Sequence, residues 1–201
     1  MSSGEVVRRL VHVSGAAVPA LYLANVVTWG QVRALALVAT AVGVVLEGLR
    51  LYGPAGWPGL ALLDRYVYRR LIREYERSNP GGYLLFLVGG TTVALAFRPR
   101  IAVPAFLMLA IADPLSGILG SGGLNGVKRP FVMAITFAVS LGLALPFVPI
   151  IPAVLGGFTA TVADGVKPVV AGYVLDDNLT IPIGAAVAIW VGLRLGPVLP
   201  A

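Results

Sequence analysis

The sequence predicts an all-α fold, a polytopic bundle of about seven membrane-spanning helices with one amphipathic helix between the second and third spans. Hydrophobic residues make up 58% of the 201 residues and charged residues only 12%, with a mean hydropathy of +0.89. In soluble domains the charged fraction is roughly a quarter. The apolar runs also lack the alternation of barrel strands, and in lipid only helices or closed barrels satisfy the backbone. We therefore predict a single integral membrane domain over residues 1–201.

Each span is predicted from an apolar run close to the roughly 20 residues that a helix needs to cross a hydrocarbon core about 30 Å thick. The predicted spans are residues 10–28, 32–52, 83–97, 100–120, 130–148, 150–168 and 179–198. The third run is short, and the fifth and sixth can be read together as one broken hairpin, so six spans is the alternative count.

The segment 53–82 is predicted to be a cytoplasmic amphipathic helix. Leu62, Tyr66 and Leu71 recur at helical spacing among charged residues, which is the pattern of a helix with one apolar face. An interfacial helix is the simpler interpretation, and a lid over a site is the other. The residues in it best suited to a functional role are Arg73, Glu74 and Glu76.

Charge falls unequally on the two sides of the predicted bundle. With the N-terminus in the cytoplasm, all but four of the fifteen basic residues lie on the cytoplasmic side, as the positive-inside rule requires. All nine acids lie there as well, which predicts a polar site at the cytoplasmic membrane surface. The net charge of +6 is attributed to loops that meet anionic lipid and not to nucleic-acid binding. The absence of cysteine excludes thiolate chemistry.

Acidic side chains within apolar runs are the first functional candidates. A carboxylate at membrane depth costs about 2.5 kcal/mol or more, so it needs a cation, a metal ion or a water-filled cavity. Glu47 lies near the end of the second span, three residues before Arg50, and this spacing allows an ion pair on one helix. Structural pairing is the simpler interpretation, and the alternative leaves Arg50 available to a phosphate. Glu5 and Asp64 are predicted to be ordinary surface charges.

A basic group stands at the start of the chain. Arg8 and His12 are four residues apart and share a helical face with Arg9 beside them. Such a face could hold a phosphate or a substrate hydroxyl. The alternative is a pair of orienting arginines with a hydrogen-bonded histidine.

The end of the fourth span joins an acid to a basic, glycine-rich stretch. Asp113 and Pro114 stand at the predicted cytoplasmic interface, and Asn125, Lys128 and Arg129 follow. Proline loosens a helix and glycine permits close backbone approach, so the stretch resembles a phosphate-handling loop, although the Walker pattern GxxxxGKS/T is absent from the sequence. Glycine-rich helix packing explains the glycines equally well, but it does not explain Asp113.

A further acidic group precedes the last span. Asp164 lies three residues before Lys167, and Asp176, Asp177 and Asn178 open the final run. One cap residue is enough to start a helix, so three neighbouring oxygen-bearing side chains exceed that need. We predict a metal, base or nucleotide role for at least one of Asp176 and Asp177.

Taken in chain order, these segments resemble the polyprenol kinase family, which includes dolichol, phytol and farnesol kinases and the CTP-dependent diacylglycerol kinase. The matching segments are RRLVH, EGLR, an amphipathic stretch ending in PGG, ADPLSGILG and ADGVKPVVAGYVLDDNLTIP. The resemblance places Arg8, Arg9 and His12 in the family's basic N-terminal motif, Asp113 in its GDPxA-type motif, and Asp177 with Asn178 in its terminal DN. It implies transfer of the γ-phosphate of CTP to the hydroxyl of a long-chain isoprenoid alcohol, with Mg²⁺ or another divalent cation, at the cytoplasmic membrane face.

The chain departs from the family pattern in two places. After the GDP-type motif, members often carry a Lys-Ser/Thr-x-Glu-Gly-Ser segment, where this chain has Lys128 and Arg129 followed by proline. Asp164 stands where a glutamate is more usual. These departures leave room for a changed donor or acceptor.

The residues and the resemblance together give the following roles. The predicted catalytic residues are Asp113, Asp164, Asp177 and His12. The predicted nucleotide- and phosphate-binding residues are Arg8, Arg9, Arg50, Asn125, Lys128, Arg129, Lys167 and Asn178. The predicted metal ligands are Asp113, Asp176 and Asp177.

Two other functions stay open at this point. One is a CTP-dependent cytidylyltransferase acting on a lipid phosphate, and the other is a transporter or lipid-binding membrane protein without chemistry. The predicted partners are CTP, the isoprenoid alcohol and membrane lipid, with no nucleic acid, and the sequence leaves a homodimer open. The predicted location is the cell membrane, or the endoplasmic reticulum if the source is eukaryotic, with the N-terminus and the site in the cytoplasm.

Overall fold

The structure, a computed structural model, describes residues 3–54, 57–72, 76–120, 127–166, 169–170, 173–174 and 176–195. Helices contain most of these residues, so the predicted helical class is confirmed. Two strands of two residues each, β1 (Val169–Val170) and β2 (Tyr173–Val174), form an antiparallel pair with Val169 opposite Val174.

The helices are α1 (Ser3–Gly15), α2 (Ala17–Leu23), α3 (Trp29–Tyr52), α4 (Pro58–Leu63), α5 (Arg69–Leu71), α6 (Gly82–Ala96), α7 (Pro99–Leu107), α8 (Asp113–Leu119), α9 (Pro130–Ala144), α10 (Ile150–Gly165) and α11 (Asp177–Leu195). A π-helical turn, Asp64–Tyr68, joins α4 to α5, and another, Met108–Ala112, joins α7 to α8. Helix α7, the second π-helical turn and α8 thus form one run, Pro99–Leu119.

Three helices in the described part of the chain are long and apolar enough to cross a membrane: Trp29–Tyr52, Pro99–Leu119 and Asp177–Leu195. Three other apolar helices, α6, α9 and α10, have 15, 15 and 16 residues. At 1.5 Å per residue they reach only about 24 Å, less than a hydrocarbon core of about 30 Å. A membrane protein is therefore supported, and the count of seven spans is not confirmed.

The predicted first span, 10–28, is not one helix. The chain is already helical from Ser3, breaks after Gly15 and leaves the helical conformation after Leu23. Asn25 takes a left-handed backbone conformation with φ of 57°, which ends the helix, since this conformation cannot continue a right-handed one. A new helix then starts at a capping box formed by Thr28 and Gln31.

The predicted amphipathic helix is shorter than expected. It is helical from Pro58 to Leu71, and Arg73 and Glu74 lie outside the described residues. Leu62 and Tyr66 are exposed on the bundle surface, whereas Tyr68 is buried and its hydroxyl donates to the carbonyl of Leu46 at 2.7 Å. Burial raises the pKa of the Tyr68 hydroxyl, so it keeps the proton that it donates.

Neighbouring helices run antiparallel, and this brings together the helix ends that carry the predicted polar residues. Helices α3 and α6 run antiparallel: Arg33 Nε donates to Ala94 O at 2.9 Å near one end, and Gly81 N donates to Glu47 Oε1 at 2.5 Å near the other. Lys128 N, just before α9, donates to Gly165 O at the end of α10 at 3.2 Å. The end of α10 and the start of α9 therefore meet at one end of the bundle.

The hydrophobic core lies beside this end of the bundle, between the helices. Met108, Leu109, Ile181, Ala185 and Ile189 are fully buried in it. Helix α11 approaches α6 and α10 closely at glycines: a Cβ at Gly89 would lie 2.6 Å from the carbonyl oxygen of Asn178, and one at Gly156 would lie 2.5 Å from Ile189. This tight packing fixes the start of α11 against its neighbours.

Candidate functional site

Three carboxylates converge where the helix ends meet. Asp113 begins α8, Asp164 lies one residue before the end of α10, and Asp177 begins α11. One carboxylate oxygen of each lies within 4.8 Å of the others. Asp164 and Asp177 are buried, and the Asp113 side chain is 18% exposed. The sequence placed all three at one membrane face, and the structure brings them into one group.

A local distortion of the helix precedes Asp113. Pro114 has no N–H, and its ring crowds the carbonyl four residues earlier, so it disfavours a regular α-helix around it. The π-helical turn Met108–Ala112 lies immediately before Asp113, and such turns are frequent at functional sites. The change of helix geometry thus lies directly beside the carboxylate of Asp113.

Lys128 and Ser116 hold Asp164 in a buried triangle. Lys128 Nζ donates to Asp164 Oδ1 at 2.5 Å and to Ser116 Oγ at 2.7 Å, and Ser116 Oγ donates to Asp164 Oδ2 at 2.6 Å. All three residues are buried, so the ion pair is weakly screened. The predicted phosphate ligand Lys128 is therefore tied to the predicted catalytic residue Asp164.

His12 and Asn178 approach the carboxylates from two different helices. Asn178 Nδ2 donates to Asp176 Oδ1 at 2.6 Å, and because a carboxylate only accepts, this bond turns Asn178 Oδ1 towards His12 Nε2, with which it is hydrogen bonded. His12 Nδ1 faces the carbonyl of Arg8 at 3.1 Å, and His12 Nε2 lies 3.9 Å from Asp113 Oδ2. Both ring nitrogens thus face hydrogen-bond acceptors.

Asp176 caps α11 and lies outside the carboxylate group. Its Oδ1 accepts from Asn178 N at 2.9 Å, and its backbone oxygen accepts from Leu179 N and Thr180 N at 3.1 and 3.2 Å. The sequence predicts Asp176 to be a metal ligand, with a helix cap as the alternative. The structure places Asp176 at the cap and puts Asp164 third in the carboxylate group instead.

Arg8 and Arg9 lie at the same end, joined by Glu5, which the sequence predicts to be an ordinary surface charge. Arg8 Nη2 donates to Glu5 Oε2 at 3.0 Å, and Arg9 Nη2 donates to Glu5 Oε1 at 2.9 Å. Arg9 Nη1 also donates to the carbonyl of Pro114 at 3.2 Å. Glu5 is thus part of the candidate site, whereas Asp64 is a half-exposed partner of Arg69, as expected of a surface charge.

The predicted ion pair between Glu47 and Arg50 is present, and it connects two parts of the fold. Arg50 Nε and Nη2 donate to the two oxygens of Glu47 at 2.9 and 2.7 Å. Its Nη1 and Nη2 also donate to the carbonyls of Arg77 and Asn79 at 3.0 and 2.6 Å. The guanidinium thereby fastens α3 to the connection that leads into α6, and it does not line the cavity described below.

Among the other predicted phosphate ligands, Arg129 is not brought to the carboxylates. Arg129 is exposed and borders a separate, shallow depression beside α9. Asn125 and Lys167 lie outside the described residues.

The carboxylate group stands at one end of an elongated cavity of about 650 Å³. Its lining on α6 runs from Gly82 to Ala94, which at 1.5 Å per residue is a length of about 18 Å. Asp113, Lys128 and the other charged residues line one end, and the walls beyond them are mostly apolar, including Val32 and Phe106. The volume lies within the range of pockets that hold small organic ligands, about 300–1,000 Å³.

Ser116, Glu5 and Glu76 show what the sequence analysis missed or left general. Ser116 lies three residues after Asp113, and that spacing on one helix face is a signal that could have selected it. Glu76, predicted to be one of the functional candidates of the amphipathic segment, is buried and lines the cavity. No signal in the sequence joins Glu5 to the site, because its place there depends on how α1 packs against α8.

The chain was also compared with family models, with curated proteins and with solved structures. None of the three comparisons gives a match.

Proposed function

We propose that this protein is a CTP-dependent lipid kinase that transfers the γ-phosphate of CTP to the hydroxyl of an isoprenoid alcohol. The observation that carries the proposal is the position of Asp113, Asp164 and Asp177 at one end of a long cavity whose other walls are mostly apolar. A water-soluble substrate would not need such walls. An alcohol with a hydrocarbon chain matches both parts of the cavity, because its hydroxyl is polar and its chain is apolar.

The alcohol would lie lengthwise in the cavity with its hydroxyl at the carboxylates. Val11 on α1 and Leu35 on α3 line the cavity and are also exposed on the bundle surface, by 43% and 54%. The cavity is therefore accessible from the side of the bundle. A lipid dissolved in the bilayer would arrive from that side.

The charges at the polar end suit a divalent cation. Three carboxylates lie within 4.8 Å of one another, and the Lys128 ammonium neutralises one of their charges. Carboxylate oxygens are ligands that Mg²⁺ prefers, usually one or two together with substrate phosphates. Asp113 and Asp177 would hold the ion, which when bound supplies positive charge to the phosphate oxygens of the nucleotide.

The protein's own side chains supply the remaining charge and the alignment. Phosphoryl transfer needs mainly positioning and electrostatic stabilisation. Arg8, Arg9 and Lys128 would neutralise phosphate charge, and Asn178 would keep His12 directed at Asp113. Each carboxylate oxygen has a second lone pair, so Asp164 can accept the hydroxyl hydrogen of the alcohol while it stays bonded to Lys128.

For the membrane arrangement, we propose seven crossing segments, with α1 and α2 together forming the first, or six if these two helices lie along the surface. The unequal distribution of basic residues in the sequence supports an N-terminus and a site in the cytoplasm. Some of the short helices would then cross where the bilayer thins locally.

The test is product analysis with the purified protein, CTP, MgCl₂ and a mixed prenol extract in liposomes. We expect CDP and a prenyl phosphate. Pyrophosphate with a CDP-lipid would instead support the cytidylyltransferase. Absence of turnover with every nucleotide and alcohol, while a labelled alcohol still binds, would support a lipid-binding or transport protein.

A further inference from the structure

Glu5 occupies a position between two guanidinium groups. Its two oxygens accept separately from Arg8 and Arg9, at 3.0 and 2.9 Å. The Glu5 side chain is 31% exposed and lines the polar end of the cavity. One anionic group thus bridges two arginines beside the carboxylates at which the chemistry is proposed.

Arg9 is held in place independently of Glu5. Its Nη1 donates to Pro114 O, and its guanidinium lies against Gly117, where a Cβ would be 3.1 Å from the Arg9 Cζ atom. Removal of the Glu5 charge therefore leaves Arg9 anchored next to α8. The cation would stay in the site and become available to another anion.

Arg8 is incompletely satisfied by Glu5. Its Nε is buried and, within the described part of the chain, has no hydrogen-bond partner. A buried donor without a partner is costly, and a carboxylate offers only two oxygens. A phosphate group presents a third oxygen and more negative charge, so it matches a pair of guanidiniums better.

We infer that Glu5 is an internal anion that occupies, in the free protein, the place of a substrate phosphate between Arg8 and Arg9, and that phosphate binding displaces it. A carboxylate and a phosphate between the same two guanidinium groups would repel each other, because both are negatively charged. They therefore cannot both remain between the arginines. The inference rests on the proposed function only in taking the ligand of the two arginines to be a phosphate.

The probe is inorganic pyrophosphate, titrated calorimetrically in the presence of MgCl₂ into the full chain in detergent. Glu5→Gln removes the competing charge and keeps the side-chain size. We expect its Kd for pyrophosphate to fall by roughly three- to tenfold, in line with the modest strength of a partly exposed ion pair. The matched control is Asp64→Asn, which removes the same charge beside Arg69 on the surface and should leave the Kd unchanged.

An unchanged or higher Kd in Glu5→Gln, with intact thermal unfolding, would overturn the inference, because a merely structural bridge predicts weaker binding. If Glu5→Gln does not fold, Glu5→Asp decides: its retracted carboxylate cannot span both arginines, so its Kd should also fall, and an equal or higher value overturns the inference. Turnover is assayed separately. Tighter pyrophosphate binding without CTP turnover would reject the kinase and keep this inference, whereas turnover without tighter binding would do the reverse.

Discussion

At the scale of single residues, the site depends on what each carboxylate contacts. Asp164 is bonded to both Lys128 and Ser116, and Asp113 and Asp177 complete a group of three carboxylates. The proposed function gives Asp164 the orientation of the alcohol, and it gives Asp113 and Asp177 the binding of the cation. Substitutions of these carboxylates should therefore have different effects on turnover and stability.

Asp113→Asn and Asp177→Asn should each lower turnover at least about a hundredfold, because each removes a charged ligand of the proposed ion. Thermal unfolding should change little in both, since fewer like charges then crowd the site. CTP turnover in liposomes is the measurement, and Asp64→Asn is the control with the same chemical change on the surface. Near-normal turnover in both variants would reject the metal assignment.

Lys128→Met should destabilise the protein by roughly 3–5 kcal/mol, because removing one partner of a buried ion pair leaves an uncompensated charge. Adding Asp164→Asn should restore most of that stability, since the buried triangle of residues 116, 128 and 164 then holds no unpaired charge. Unfolding of the single and double variants in detergent measures the effect. A double variant no more stable than Lys128→Met alone would mean that the pair is not energetically coupled.

At the scale of elements, the geometry of the site depends on the hydrogen bonds of Glu47 and on the contacts between α6 and α11. Glu47 accepts from Gly81 N at 2.5 Å and from the Tyr83 hydroxyl at 2.7 Å, besides its pair with Arg50. These bonds fix the start of α6. Gly82 in turn lies against Asn178, where a Cβ would be 3.0 Å from Asn178 Nδ2. These contacts connect α3 to α6 and α6 to α11, so the position of α3 affects the position of the site residues on α11.

Gly89→Val should impair folding or displace α11, because a Cβ at this position would lie 2.6 Å from the carbonyl oxygen of Asn178 and a backbone atom cannot move aside cheaply. Turnover should fall together with thermal stability. Gly142→Ala in α9 is the matched control: nothing lies within 4 Å of its Cβ position, so it should be neutral or stabilising by about 0.5–1 kcal/mol. Equal stability of the two variants would contradict the close α6–α11 contact.

At the scale of the whole molecule, the arrangement brings one set of helix ends to the site, whereas Arg33 and Arg98 lie towards the opposite ends of α3 and α6. The chain has no cysteine, so single cysteines can report on the two ends separately. Arg129 lies near the site end beside Lys128, and Arg98 lies between α6 and α7 at the far end; both are exposed.

In sealed vesicles of known orientation, Arg129→Cys should react with a membrane-impermeant maleimide only from the cytoplasmic side, and Arg98→Cys only from the other. The reason is that the two positions lie at opposite ends of helices proposed to cross the bilayer. Mass shift of the protein on gels gives the readout, with detergent-permeabilised vesicles as the control. Labelling of both positions from one side would reject the proposed arrangement.

The sequence by itself predicted the helical class, which the structure confirms, and it named Asp113, Asp164, Asp177 and His12 as candidates, because composition and the cost of a carboxylate in lipid are local properties. The location of all nine acids on one membrane side stays a prediction. It could not show that the first predicted span breaks after Gly15, a position packed closely against Phe86, since the packing of neighbouring helices decides that. Nor could it choose Asp164 over Asp176 for the carboxylate group, or include Ser116 and Glu5. Those choices depend on contacts between helices far apart in the chain, such as Lys128 with Asp164 and His12 with Asn178, and only the tertiary packing sets which of these side chains meet.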